Sequence, residues 1–564
     1  SLPEVADAIV VPHTIYESVS KRLDTIQSGR GVIEALAVIG APVSTEVLRA
    51  VVPAHVEDLS PALEALERAG LIEKRSEGGK DHISIRHKVY RDVIYEQIEG
   101  KSRRKLHLAT YKALTTFQDL RPEILANHAQ AANDWDNAST HALVAADGFL
   151  KRSALIEAGH FFDIANNALK RLPVTPDTLR NRLRAVSGMA SVERSRFGIA
   201  TDRSAELGQQ MVELARDVGD ETAEFLALNG LYSHALVRAN YPKAQEHAEA
   251  LLENAQRSQN RTFIMIGTRA TGAVALHLGN QTKAVERFTD AFDRYDRDTH
   301  LHLAHAHGYD HAEICSAMLS MSLWISGDLE RAKHFSAFSI DPSREINHAH
   351  SLTQAISFRV VLGALARHGD ELFEVGAECM QVAEKYGIHV MYAAAHLFPF
   401  ATNLCLRSPP PSPAEMTDLE ARVKAFRAVN PFNYGPLLAD ILSEVYLRAG
   451  DNDAADAMLK DALNIASKTG EIWTSPAVVR TQARVAEARG DTLSALRLRD
   501  EALSLAHDLE ARTITLRIRC DAAEADPSET TLAAVKDALS DLISRDDGWD
   551  IRRAEALLQG AAAS

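Results

Sequence analysis

One short signature recurs along this chain and constrains the fold more than any other feature. An apolar helix ends in Gly-Asp or Gly-Asn, and an alanine follows five residues after that glycine. It reads "LGNQTKA" (Gly279, Ala284), "SGDLERA" (Gly327, Ala332), "AGDNDAA" (Gly450, Ala455) and "RGDTLSA" (Gly490, Ala495). "HGDELFE" (Gly369) and "NDWDNA" (Ala138) are weaker relatives. Glycine tolerates the left-handed conformation that closes a helix, and a small alanine lets the next helix approach closely. Ala455, Leu459, Ala462, Leu463 and Ala466 then form one apolar stripe, as do Ala284, Phe288, Ala291, Phe292 and Tyr295. A helix pair cannot bury such a stripe alone, so the pairs must stack.

The glycines lie 48, 42, 81 and 40 residues apart. A period near 40 exceeds the 34 residues of the standard tetratricopeptide repeat, so these are its longer relatives. The spacing of 81 is close to two periods, with "SPPPSP" (Ser408 to Pro413) between them. Stacking predicts a superhelix with a concave inner face able to take a peptide, a partner protein or a small molecule. The aromatic candidates for that face are Tyr232, Tyr309, Trp324, Tyr392 and Trp473; for each, packing between helices is the competing reading. The stretch "THLHLAHAHGYDHAE" adds His300, His302, His305, His307 and His311. No ordered carboxylate spacing completes a metal site there, so metal binding stands behind local hydrogen bonding, exposure to solvent or ligand contact in the groove, with His307 and His311 on one helical face.

The N-terminal part reads differently. "STEVLRAVV" is a short helix with Ser44 as its cap. "VEDLSPALEALERAG" places Leu59, Leu63 and Leu66 on one face and stops at Gly70. "LIEKRS", the turn "EGGKD" and "HISIR" predict a β-hairpin. Three helices and a hairpin make a winged helix. The helix in "VEDLSPALEALERAG", where a DNA reader carries basic residues, is acidic with Arg68 as its one cation, which argues against direct nucleic-acid binding. Net charge is −15, which argues the same way. Yet Leu71 to Lys112 holds eleven Lys and Arg against six Asp and Glu, a local +5. The basic "KSRRKLH" there reads either as a solvated helix start or as a contact with a neighbouring domain or nucleotide.

The fold class expected is therefore mainly α, with a winged-helix domain and helical extension over 1–118 and a tetratricopeptide-like array over 119–406. A Pro-rich interruption over 407–433 and further repeats over 434–564 complete it. Four dispersed cysteines read as free thiols. No apolar run reaches the roughly 18 residues of a membrane span, and no signal peptide is seen, so a cytoplasmic location is expected. There is no GxxxxGK[ST] loop, GxGxxG, GxSxG or HExxH, so neither catalysis nor a metal is expected of this chain.

The order of parts resembles the C-terminal region of bacterial signalling proteins that join a class III nucleotide cyclase, or a DNA-binding head, to a STAND-type P-loop ATPase, a winged helix and a tetratricopeptide array. MalT-like regulators are looser cousins. "VPHTIYESVSKRLDTI", "VIEALAVIGAPVSTEVLRAVV" and "IRHKVYRDVIYEQIEGKSRRKLH" resemble the winged helix. "GTRATGAVALHLGNQTKAVERFTDAFDRYD", "GYDHAEICSAMLSMSLWISGDLERA" and "EIWTSPAVVRTQARVAEARGD" resemble repeats, and "DDGWDIRRAEALLQG" the family's C-terminus. The resemblance implies a regulatory and sensory arm, with the catalytic parts upstream of Ser1 and ADP or ATP held there rather than by this chain. The array would sense a small-molecule or protein effector and relay it through the winged helix; the alternative is a pure protein-binding scaffold. In STAND ATPases a histidine at the end of the winged helix contacts the diphosphate of bound ADP. His87 matches by context, flanked by Arg86 and Lys88 where the family has Met and Asp.

Overall fold

The computed structural model describes residues 20–563 apart from 24–25, 27–28, 54–55, 57, 78–79, 118–120, 302, 305–308, 346–347 and 430–433. The chain divides into two compact units, Ser1–Gly198 with Gln210–Asp220, and Ile199–Gln209 with Glu221–Ser564. The boundary expected at 118 is thus internal to the first unit, which also holds the helices from Gly100–Thr116 to Pro176–Phe197.

In the first unit, helices Arg30–Ile39, Thr45–Val51 and Ser60–Arg68 pack on a small sheet. Its strands are β1 (Val43–Ser44), β2 (Ile72–Glu77) and β3 (Lys80–Ile85), antiparallel in the order β1-β3-β2. Gly40 closes the first helix in the left-handed region at φ 72°, and Ser44 Oγ accepts the Val47 N–H at 3.3 Å to cap the second. Ile72 pairs with Ile85 and Lys74 with Ile83. Ile33, Leu36, Leu48, Leu66, Ile72, Ile83 and Val93 fill the core beneath.

In the second unit, helices pair as the signature predicts. Gly279, Gly327, Gly450 and Gly490 all adopt positive φ, between 77° and 86°, and the alanines five residues on are buried. Asn280, Asp451 and Asp491 accept the N–H three residues on, so in three of the four the Gly-Asp/Asn dipeptide ends one helix and caps the next; Asp328 makes no such cap. In the weaker "HGDELFE" the left-handed residue is Arg367 (φ 57°), not Gly369.

Two expectations are corrected. The Pro-rich stretch does not interrupt the array: Pro413–Val429 is a helix that buries Leu419 and Phe426 against helix His389–Leu406. Pro413 stands first in that helix, where no N–H is needed, and Ser412 and Glu415 cap it reciprocally (Ser412 N to Glu415 Oε2 2.9 Å; Glu415 N to Ser412 Oγ 3.4 Å). Nor do the central turns of three of the first helices line an open face. Met265–His277 and Pro436–Val445 are buried at every position, and His311–Ser326 at every position but the half-buried Ile314. The late repeats supply the cover. Ile472 N–H donates to His277 O (3.1 Å), Arg512 Nη1 to Ser326 O (3.1 Å) and Ile543 N–H to Gly327 O (2.9 Å). Thr513 Oγ1 donates to Trp324 O, and Ser544 Oγ to Asp328 Oδ1 (2.6 Å). The second unit closes on itself along this seam.

Candidate functional site

The strand-to-helix junction at the end of the hairpin is the first candidate. Arg86 N–H still bonds Leu71 O at 3.0 Å. His87 is extended (φ −129°, ψ 135°), and helix Lys88–Gln97 starts after it. The His87 ring does not cap that helix; it stands edge-on to Tyr90, with centroids 5.0 Å apart. Arg86, His87 and Lys88 are all exposed, and none of them forms an ion pair with a carboxylate among the described residues. The N-terminus of helix Lys88–Gln97 lies beside them, with Tyr90 N–H donating to His87 O at 3.0 Å. The junction is therefore an exposed cationic surface in an otherwise acidic chain.

The groove candidates separate into three places. Tyr232, Tyr309 and His311 converge where helix His311–Ser326 begins, within the second unit. Arg269 is buried there, donating from Nη2 to Tyr309 Oη at 3.2 Å with its guanidinium 5.5 Å from that ring. The Tyr309 and His311 rings meet at 5.1 Å. Tyr295 Oη donates to Asp310 Oδ1 (2.8 Å), and Asp310 Oδ2 accepts the Glu313 N–H at 3.4 Å as the helix cap. Trp324 lies in the seam with the Arg517 guanidinium 5.3 Å from its ring. Trp473 donates from its indole N–H to Glu471 Oε1 (2.9 Å), edge-on to His277. Tyr392 is half-buried against His396, apart from the others. Tyr232, His311, Trp324 and Trp473 are each 5 % exposed or less, so they are core rather than groove lining. His302, His305 and His307 lie outside the described residues; His300 is buried and pairs with Thr262 Oγ1 at 3.1 Å.

Sequence reasoning passed over the most unusual group of this cluster. Glu313 is 1 % exposed, and among the described residues neither carboxylate oxygen has a hydrogen-bond partner. Burial, and then the neighbouring Asp310, push its carboxyl well above the ordinary value, against the pull of Arg269.

It also missed an ionic ladder through the centre of the second unit. Arg367 Nη2 lies 3.1 Å from Glu444 Oε2. Arg480 donates to Glu444 Oε1 (2.7 Å) and, through Nε and Nη2, to Asp521 (2.5 and 3.2 Å). Arg553 reaches Asp521 at 2.5 Å, and Arg517 pairs with Asp550 and donates to Leu365 O. Arg367, Arg480 and Arg517 are all at most 2 % exposed. Burial opposes the charge on Asp521, yet Arg480, Arg553 and Arg484 bring its carboxyl down to about 2. Burial likewise opposes charge on Glu444, which Arg367, Arg480 and Arg484 hold well below the usual range. Asp440, next to it, is raised by burial and by Glu444, and accepts from Thr481 Oγ1 at 2.6 Å.

These helix pairs, their glycine closures and their buried alanines define a tetratricopeptide-like repeat protein. No family model matches the chain. An uncharacterized protein of Rhizobium meliloti (strain 1021) is 22 % identical over 393 residues, which is 68 % of this chain and 38 % of that protein. The chain thus spans well under half the length of this curated relative. Among solved structures it is similar to a Signal Transduction ATPase with Numerous Domains protein with a tetratricopeptide repeat sensor from Pyrococcus horikoshii (14 % identity, 77 % of this chain and 68 % of that one, TM-score 0.36). It is also similar to a Rap protein complexed with competence and sporulation factor (12 %, 75 % and 98 %, 0.33) and to the APC/C hetero-tetramer Cut9–Hcn1 (12 %, 84 % and 92 %, 0.36).

Proposed function

We propose that this chain is the regulatory arm of a larger cytoplasmic signalling ATPase. The N-terminal module, three helices on a sheet with β2 and β3 as the wing, is read as a winged helix. It presents Arg86, His87 and Lys88 to the phosphates of ADP or ATP held by a nucleotide-binding domain outside these residues. The observation that carries this reading is the exposed junction: two cations and a titratable ring with no carboxylate partner, beside a helix N-terminus, where anions are favoured. The array binds an effector, and binding is relayed because the effector has different affinities for two states of the whole protein. Neither catalysis nor nucleic-acid or membrane binding is assigned to this chain, and the output domain is a nucleotide cyclase or a DNA-binding head. The test is ADP retention by the full-length protein with His87→Ala. Faster ADP release is expected; unchanged retention refutes the role given to His87.

A second reading has its own support. The central turns of three first helices of the pairs are buried nearly all round, which leaves a small molecule little open inner face there. That favours a partner protein docking on the outer surface. Thermal-shift screening of the chain against metabolites separates the two: reproducible stabilisation by one compound supports a sensor, and silence with a protein recovered by pull-down supports the scaffold.

A further inference from the structure

A pocket of about 690 Å³ opens in the first unit where three helices end or begin. Gln130 and Ala131 come from the end of helix Pro122–Ala131, and Trp135 starts helix Trp135–Lys151. Asn167, Ala168, Lys170 and Arg171 come from the end of helix Leu155–Leu169 and the residues after it. The wall contains two cations, two amides, one indole and no carboxylate. That is unusual in a chain of net charge −15.

None of these polar side chains is used by the fold. Among the described residues, Lys170 and Arg171 have no ion pair, and the side chains of Gln130 and Asn167 and the Trp135 indole N–H have no hydrogen-bond partner. The Arg171 guanidinium stands over the Trp135 ring, 4.7 Å from its centroid. That contact fixes the cation beside the aromatic plate and takes none of its N–H donors. Both cations sit just past a helix C-terminus, which the helix dipole favours, and this too leaves their charged heads free.

We propose that this pocket binds a nucleoside phosphate. A base can stack on the indole and the guanidinium, since aromatic and arginine planes take any base by its π-face. The amides of Gln130 and Asn167 each offer a donor and an acceptor, the pairing that a base edge presents. Lys170 and Arg171 then meet the phosphate. The pocket is within the roughly 300–1,000 Å³ range of small-ligand sites. The acidic balance of the whole chain selects a single nucleotide over a polymer, whose many phosphates it repels. This site does not rest on the reading of the Arg86–Lys88 junction.

The test uses the 564-residue chain and a fluorescently labelled ADP, with anisotropy as the readout. Saturable binding is expected, displaced by unlabelled ADP and AMP and far less by inorganic phosphate. Trp135→Ala should weaken it roughly 5- to 150-fold, the range of one lost base stack. Trp135 is half-buried, so Arg171→Glu and Lys170→Glu, both at exposed positions, serve as variants that leave the fold intact. Each should weaken binding about ten-fold or more, with only a small fall in melting temperature from the lost contact with the helix dipole. His87→Ala should leave it unaltered, which keeps this site distinct from the junction. Absence of binding at millimolar ADP, binding indifferent to Trp135→Ala and Arg171→Glu, or displacement by an oligo-glutamate peptide as effective as by ADP would each overturn the proposal.

Discussion

Arg480→Ala offers the sharpest probe of what holds the second unit closed. Arg480 gives three charge-assisted hydrogen bonds to two buried carboxylates, at 2.7 Å to Glu444 and at 2.5 and 3.2 Å to Asp521. Truncation leaves Asp521 with Arg553 and Glu444 with Arg367 and Arg484. Breaking a buried pair by removing one partner costs about 3–5 kcal/mol, because the remaining charge stays desolvated. At about 2 °C per kcal/mol for a unit of this size, the melting temperature should fall by roughly 6–10 °C. Adding Asp521→Asn to Arg480→Ala removes the stranded charge and should recover part of that loss, although Asp521→Asn alone destabilises. The pH profile gives an independent check. Asp521 titrates near 3.8 when unfolded and at about 2 when folded, so its contribution is complete above pH 4 and lost as pH falls through 2. Its size is about 2.5 kcal/mol, and Arg480→Ala should shrink it. A loss below about 2 °C, or additive losses in the double variant, would refute the ladder as a coupled network.

Two further outcomes are expected. Glu313 is raised by burial, so the folded state keeps a proton the unfolded chain gives up; stability is greatest below pH 4.5 and falls as pH rises through the raised value, by at most about 1.4 kcal/mol per pH unit. Glu313→Gln should therefore gain on wild type progressively from pH 5 to 8 in urea melts, and a constant difference would count against the burial argument. Gly450→Ala should cost about 1 kcal/mol, since φ is +82° and nothing lies within 4 Å of the new Cβ. Gly327→Ala should cost about 2–3 kcal/mol, because its Cβ would also meet Leu542 Cδ2 at 2.9 Å and Arg512 Cβ at 3.0 Å; equal losses in chemical denaturation would contradict the seam.

The helix pairs were legible because their signals are local. A glycine closure, a cap and an alanine five residues on fall within one short stretch of chain, and the chain repeats them. The β2–β3 hairpin was legible for the same reason, whereas the two-residue β1, paired to β3 from far along the chain, was not. The ladder was not, since Arg480 and its partners lie 36 and 41 residues apart and Arg517 reaches Leu365 across 152. On its own helix each arginine reads as a solvated charge. Closure was hidden likewise: Gly279 and Gly327 announce turns, and nothing near them announces the late repeats that cover them. Hence Trp324, Trp473 and Tyr232, for which groove lining and packing between helices competed, are core, and Glu313 went unnoticed among the histidines around it.

The seam gives this array an unusual relation to its own length. An open solenoid can gain or lose a repeat at either end, and each unit answers only to its neighbours. Here the backbone at His277, Ser326 and Gly327 receives hydrogen bonds from Ile472, Arg512 and Ile543, so an inserted repeat would carry the two edges past one another. Repeat number is thereby a fixed dimension of the molecule, as circumference is to a hoop. The same closure makes the contacts that finish the fold among the most distant in sequence, so the second unit should gain its last stability only when its final helices have been made.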